Sequence, residues 1–113
     1  MKSYTNLEQS EKLAEILPIE SADMCYPYDR HLNKMYGDIP YVMGYKRFNE
    51  DTDFPCWSLG ALISILPKRY CLETLDNGTY ACYNFLSQYE KFGKTPIDAV
   101  YSMIVFLKEE KII

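Results

Sequence analysis

The sequence predicts an α+β fold: a small antiparallel sheet of about three strands, including an Asn-Gly hairpin, packed against three helices in the order α-β-α-β-β-α. Three segments carry helix-capping residues followed by apolar residues at helical spacing, and one segment joins two β-prone runs through Asn77-Gly78. The chain has 113 residues, of which 48% are hydrophobic and 25% are charged. This balance is typical of folded proteins, and we expect residues 1–113 to form one domain.

The first helix is predicted from its capping residues. Thr5 and Glu8 match a capping box, in which the Thr5 hydroxyl accepts from the Glu8 amide and the Glu8 carboxylate accepts from the Thr5 amide. Pro18 disfavours helical geometry at the residue before it, so the helix is expected to end there. Its apolar side consists of Leu7, Leu13, Ala14, Ile16 and Leu17.

Residues 18–53 contain three prolines and two glycines, which exclude a long helix. Within them, "PYVMGYKRF" (40–48) alternates as in a short strand, with Gly44 as a candidate β-bulge. The rest is predicted to be ordered loop, and "NEDTD" (49–53) to be a solvated acidic turn.

The second helix is predicted to begin at Pro55, because proline suits the first helical position, and to end at Pro67. This start places Cys56 in the first turn. The apolar residues that recur at helical spacing are Leu59, Leu62, Ile63 and Leu66.

The hairpin is predicted from Asn77-Gly78, which suits the positive φ angles of a two-residue type I′ turn. That turn would place Leu75 opposite Tyr80, and it fixes which side chains share a face. The predicted core face carries Tyr70, Leu72, Tyr83 and Phe85.

The third helix is predicted to start with Thr95 as the cap and Pro96 as the first helical residue, followed by Asp98 near the positive end of the helix dipole. Its buried stripe is Ile97, Val100, Ile104 and Leu107.

Composition disfavours several functional classes. The net charge of −4 argues against binding along a nucleic-acid duplex, which needs a basic face. We expect no signal peptide, no membrane span and a cytoplasmic location, in which the four cysteines stay reduced. We expect no metal site and no cofactor, because the chain has one histidine, no CxxC pair and no phosphate-binding glycine motif.

One hypothesis concerns cysteine chemistry. A thiol in the first turn of a helix has a lowered pKa, and the only base of the right type is His31. Cys56 or Cys25 with His31 could therefore form a cysteine-dependent enzyme. The alternative, which we favour, is that Cys56 packs as a small apolar residue beside Trp57.

The segment 26–48 stands out because five tyrosines alternate with four cationic residues. Tyrosine and arginine are favoured anchors of protein interfaces, so we predict that this segment binds another protein or a second copy of the chain. A weak single-stranded nucleic-acid binder and a loop packed over the sheet remain alternatives. The predicted contact residues are Tyr26, Tyr28, Arg30, Tyr36, Tyr41 and Tyr45.

Three stretches resemble a family of small proteins encoded in the genomes, phages and mobile elements of gut bacteria, for which no activity is known. They are "YTNLEQSEKLAEILPIESADMCY", "PCWSLGALISILP" and "TPIDAVYSMIVFLKEEKII", which together span about two-thirds of the chain. The resemblance implies an accessory role in a host cytoplasm, and it brings no catalytic residue or cofactor with it.

Overall fold

The computed structural model describes residues 3–43, 48–86 and 89–113 as an α+β fold with two antiparallel sheets. The helices are α1 (Leu7–Ile16), α2 (Leu59–Ile65) and α3 (Pro96–Glu109), with a short 3-10 turn at Ile19–Ser21. The strands are β1 (Met24–Asp29), β2 (Lys34–Met35), β3 (Tyr41–Val42), β4 (Asp53–Cys56), β5 (Tyr70–Thr74), β6 (Tyr80–Asn84) and β7 (Glu90–Gly93).

The first sheet forms around β1, which was predicted to be loop. Strand β4 pairs along one edge of β1, and the short strands β2 and β3 pair with it along the other. The loop prediction was wrong because Pro27 excludes a helix but not a strand: its fixed φ fits extended backbone, and its carbonyl accepts from the amide of Tyr36 at 2.9 Å. Of the strand predicted over 40–48, Tyr41–Val42 form β3, and residues 44–47, including the candidate bulge Gly44 and Tyr45, lie outside the described residues.

The second sheet is the meander β5-β6-β7, and its hairpin does not have the predicted two-residue turn. The loop holds three residues, Asp76 to Gly78, with Gly78 at a φ of 83° and the Leu75 amide donating to the Thr79 carbonyl at 2.8 Å. The side chain of Asn77 accepts from the amide and the hydroxyl of Thr79 at 3.0 and 2.6 Å, which stabilises this longer loop.

The extra loop residue shifts the strand pairing by one residue. Each side chain of β6 therefore shares a sheet face with the β5 side chains that the predicted turn would have placed on the opposite face. Leu72 lies opposite Cys82 and Cys71 lies opposite Tyr83. The face that packs on the core carries Tyr70, Leu72, Tyr80 and Cys82. Tyr83 and Phe85 were therefore wrongly assigned to the core, and Phe85 is 61% exposed.

Helix α1 has a capping box one residue later than predicted. Asn6 is the cap, its side chain accepts from the Gln9 amide at 2.7 Å, and the Gln9 side chain accepts from the Asn6 amide at 3.1 Å. Thr5 is fully buried and precedes the helix, so its hydroxyl serves other contacts. The helix ends at Ile16, as the proline at position 18 predicted.

Helix α2 begins at Leu59 with Ser58 as its cap, so the predicted start at Pro55 is wrong. Pro55 instead lies in β4 opposite Cys25, since its fixed φ suits an extended strand as well as a helix start. Of the predicted apolar stripe, Leu62 is fully buried whereas Ile63 is 45% exposed.

Helix α3 confirms its prediction at both the cap and the buried face. The Thr95 hydroxyl accepts from the Asp98 amide at 3.1 Å, and Pro96 is the first helical residue. The predicted stripe is fully buried: Ile97, Val100, Ile104 and Leu107. These residues pack with Leu13, Trp57, Leu62 and Cys82, so the core lies between the helices and the inner face of the second sheet.

Candidate interaction surfaces

A buried polar network around Thr5 accounts for two of the residues singled out in the sequence. The Thr5 hydroxyl bonds to the Ser10 hydroxyl at 2.8 Å and accepts from the Trp57 amide at 3.1 Å. The Thr5 carbonyl accepts from the Tyr26 hydroxyl at 2.6 Å and from the Cys56 thiol at 3.5 Å. Every polar atom has a partner inside the protein, so this network is structural.

Tyr26 was predicted to be a contact residue, but its side chain is 1% exposed. Burial raises the pKa of its hydroxyl well above the usual value, which keeps the group protonated as a donor to Thr5. Tyr26 is therefore a core residue.

Cys56 lies in strand β4, so the prediction of a thiol at a helix N-terminus is wrong. Its side chain is fully buried, and burial raises its pKa, which is opposite to the change that activates a nucleophile. Cys25 is also fully buried, in β1. None of the four cysteines forms a disulfide.

His31 lies in the exposed turn after β1, where its amide donates to the Asp29 carboxylate at 2.9 Å. Among the described residues, no hydrogen bond joins His31 to Cys25 or Cys56. Residues 3–43, 48–86 and 89–113 contain no group of three or more His, Cys, Asp and Glu side chains that could hold a metal ion.

Tyr41 and Asp53 form a second internal pair. The Tyr41 hydroxyl donates to the Asp53 carboxylate, which also accepts from the Asn49 amide at 2.9 Å. Asp53 is 1% exposed, so the prediction of a solvated acidic turn is wrong at this residue. These hydrogen bonds offset the cost of burying the carboxylate.

Three further predicted contact residues make mostly local contacts. The Tyr28 hydroxyl donates to the Asn33 side chain at 2.8 Å, and the Arg30 guanidinium pairs with Glu50 at 2.8 Å. Tyr36 is 49% exposed. Among the described residues of this segment, the large apolar side chains left exposed are Leu32, Tyr36, Ile39 and Val42, and we call them the segment surface.

The outer face of the second sheet forms a different surface, which sequence analysis missed. A cleft of about 330 Å³ opens there, and we call it the aromatic cleft. It is lined by Glu73, Tyr83, Asn84, Phe85, Tyr89 and Glu90.

Strand register positions these side chains. Tyr83 lies opposite Glu90 on β7 and opposite Cys71 on β5. Glu73 follows Cys71 by two residues, so its side chain is on the same sheet face as Tyr83 and diagonal to it. The amide of Asn84 donates to the Tyr89 carbonyl at 3.0 Å, which holds the two ends of the β6–β7 connection together. The ring of Tyr89 packs edge-on against Phe106 of α3, with 5.1 Å between ring centroids.

Four large apolar residues at and beside the aromatic cleft are exposed to solvent. Phe85 and Leu86 are each 61% exposed, Phe92 is 57% exposed and Tyr89 is 39% exposed. The charge on Glu73 raises the pKa of the Tyr83 hydroxyl, so this carboxylate lies close to the tyrosine.

Comparisons with known proteins give no family for this chain. No family model, no curated protein and no solved structure matches it. In the part of the chain that the structure describes, no helix is both long enough and apolar enough to cross a bilayer.

Proposed function

We propose that the protein acts by binding another protein, and that the aromatic cleft with the neighbouring Leu86 and Phe92 is the contact surface. The observation that carries this proposal is the exposure of four large apolar side chains in and beside the β6–β7 connection, at 39–61%: Phe85, Leu86, Tyr89 and Phe92. Exposed apolar clusters bordered by polar groups are typical of protein interaction sites.

The identity of the exposed residues supports a protein partner. Phenylalanine and tyrosine are enriched in interfaces because they bury a large area and have few rotatable bonds. Glu73 and Glu90 supply a polar border to this surface. An acidic border also disfavours a nucleic-acid ligand, whose phosphates would be repelled.

The segment surface is a second candidate, because Leu32, Ile39 and Val42 are 67–75% exposed. The sequence-based proposal that the Tyr/Arg segment makes the contact is kept only for these residues and Tyr36. Its other predicted anchors within the described residues use their hydroxyl or guanidinium groups internally. The accessory role implied by the family resemblance agrees with a binding function and remains part of this proposal.

The alternative of a cysteine enzyme is less well supported. A nucleophilic cysteine needs a lowered pKa and access to substrate, whereas Cys56 has a raised pKa and no exposure. We therefore place the functional surface on the sheet and regard the thiols as core residues.

Site-specific photo-crosslinking in the native cells tests the proposal. A benzophenone amino acid would replace Phe85 in the cleft, Phe92 beside it, Ile39 in the segment surface, or Ile63 on α2 as an exposed control. We expect one discrete protein adduct from Phe85 and Phe92 and none from Ile63. An adduct from Ile39 alone would move the interface to the segment surface, and equal labelling at all positions would contradict a specific interface.

A further inference from the structure

We infer that the aromatic cleft receives a cationic side chain of the partner protein, arginine in preference to lysine. This inference rests on the proposed function, because it assigns a chemistry to the same surface. It follows from the combination of aromatic rings and carboxylates that line one cleft.

Two carboxylates lie on opposite sides of a central tyrosine. Glu73 is on β5, Glu90 is on β7, and Tyr83 lies between them on β6. All three belong to the outer face and line the same cleft. A cation placed over Tyr83 would therefore have a carboxylate on each side.

The negative charges of the cleft are not neutralised within the described residues. Both ion pairs there belong to Arg30, in the turn after β1, and neither involves Glu73 or Glu90. The basic residue of β7, Lys91, lies opposite Cys82 on the inner face, with its Nζ 4.4 Å from the centroid of the Phe106 ring. A cationic group of a partner could therefore pair with the carboxylates of the cleft. This charge complementarity is the reason for proposing a cation as the occupant.

The aromatic lining favours a cation over a purely apolar group. Tyr83 lies on the outer face opposite Glu90 and lines the cleft together with Phe85, and ring faces attract ammonium and guanidinium groups. Tyr89 precedes Glu90 in the chain and alternates to the inner face, where its ring packs edge-on against Phe106 of α3.

Arginine fits this lining better than lysine. Its planar guanidinium can stack on a ring while its N–H groups donate to carboxylates in the same plane. A lysine ammonium is compact and strongly hydrated, and it loses more hydration on entering the cleft. We therefore expect arginine peptides to bind more tightly than lysine peptides.

The test is an NMR titration of the ¹⁵N-labelled full chain with three peptides that differ at one position. The peptides are acetylated, amidated Gly-Leu-Xaa-Leu-Gly, in which Xaa is arginine, lysine or citrulline. Citrulline keeps the shape of arginine but has no charge. We expect shifts centred on the amides of Glu73, Tyr83 and Glu90, with the arginine peptide binding about five- to tenfold more tightly than the citrulline peptide.

A pair of charge variants provides the matched control. Glu73→Gln/Glu90→Gln should abolish the preference for arginine over citrulline, and raised salt should reduce it. Glu109→Gln/Glu110→Gln also removes two negative charges, from exposed carboxylates at the end of α3. This control variant should keep the preference for arginine over citrulline.

Each remaining outcome decides against the inference. If the citrulline and arginine peptides bind the cleft equally, the cleft is an apolar docking surface, so the proposed function stands and the cationic occupant is wrong. If no peptide shifts the cleft amides, the cationic occupant is also wrong, and cross-linking from Phe85 then decides the proposed function separately.

Discussion

The two sheets contain similar aromatic residues but use them in opposite ways. In the first sheet, the hydroxyls of Tyr26 and Tyr41 are bonded inside the protein, and the consecutive residues Cys25 and Tyr26 are both buried, so both faces of β1 are covered. In the second sheet, one face packs on α3 and the other leaves rings such as Phe85 and Phe92 exposed. Composition alone therefore does not locate a contact surface, because strand register and layer order decide which rings are exposed.

The largest effect on stability is expected where the second sheet meets α3. A Cβ at Gly93 would lie 2.4 Å from the Ala99 amide nitrogen and 2.7 Å from the Asp98 carbonyl carbon, so helix or strand must shift. We expect Gly93→Ala to lower the free energy of unfolding by about 3 kcal/mol, measured by urea denaturation with Trp57 fluorescence.

Gly60→Ala is the control for that substitution. A Cβ at Gly60 would meet only the Ser58 hydroxyl, at 3.8 Å, and the residue lies within α2. Alanine favours a helix interior over glycine by about 0.8–1 kcal/mol, so this variant should be more stable than the wild type. Equal effects of the two variants would show that the sheet does not depend on the close approach at Gly93.

An intermediate effect is expected for a predicted contact residue that proved to be buried. Tyr26→Phe removes the hydroxyl that donates to the Thr5 carbonyl, and it should lower the free energy of unfolding by about 1–2 kcal/mol. Tyr36→Phe is the matched control, since the hydroxyl of Tyr36 is exposed and 3.5 Å from Asp29. A neutral Tyr26→Phe would mean that Tyr26 is not part of a structural network.

A smaller effect is expected from the inner face of the second sheet at alkaline pH. Burial raises the pKa of the Cys82 thiol from 9.0 to about 11. The stability linked to this thiol is fully present below pH 9 and is lost as the pH rises towards 11, because the unfolded chain releases the proton first. In urea titrations at several pH values, Cys82→Ala should reduce the slope of stability against pH over this range, and an unchanged slope would contradict the assignment.

The smallest effect on stability is expected at the proposed contact surface. Phe85→Ser and Phe92→Ser replace side chains that are 61% and 57% exposed, so the free energy of unfolding should stay within about 0.5 kcal/mol of the wild type. The same variants should lose the cross-linked partner. If either variant unfolds in urea at a clearly lower concentration, the ring is part of the core and not a free contact.

Local signals were enough to predict α3 but not the starts of α1 and α2. The cap at Thr95, the proline at 96 and the buried stripe all act within one helix. At Pro55 the local signal was ambiguous, because the same fixed φ suits a helix start and a strand, and pairing with β1 decided between them.

The aromatic cleft could not be found from the sequence because it depends on the hairpin register. Asn77-Gly78 indicated a two-residue turn, whereas Asp76 joins the loop and Asn77 bonds to Thr79. A change of one residue moves Tyr83 from the predicted core face to the outer face. The sequence Asp76 to Gly78 also fits a three-residue hairpin loop with glycine at its last position, and that interpretation would have predicted the correct register.

The most direct test of the central claim is hydroxyl-radical footprinting of the chain, free and in complex with the partner that the cross-links capture. We predict protection of Phe85, Leu86, Tyr89 and Phe92, with Leu32, Tyr36 and Ile39 oxidised to the same extent in both states. Protection confined to Leu32, Tyr36 and Ile39, with the cleft rings still oxidised, would contradict the assignment of the contact surface to the second sheet.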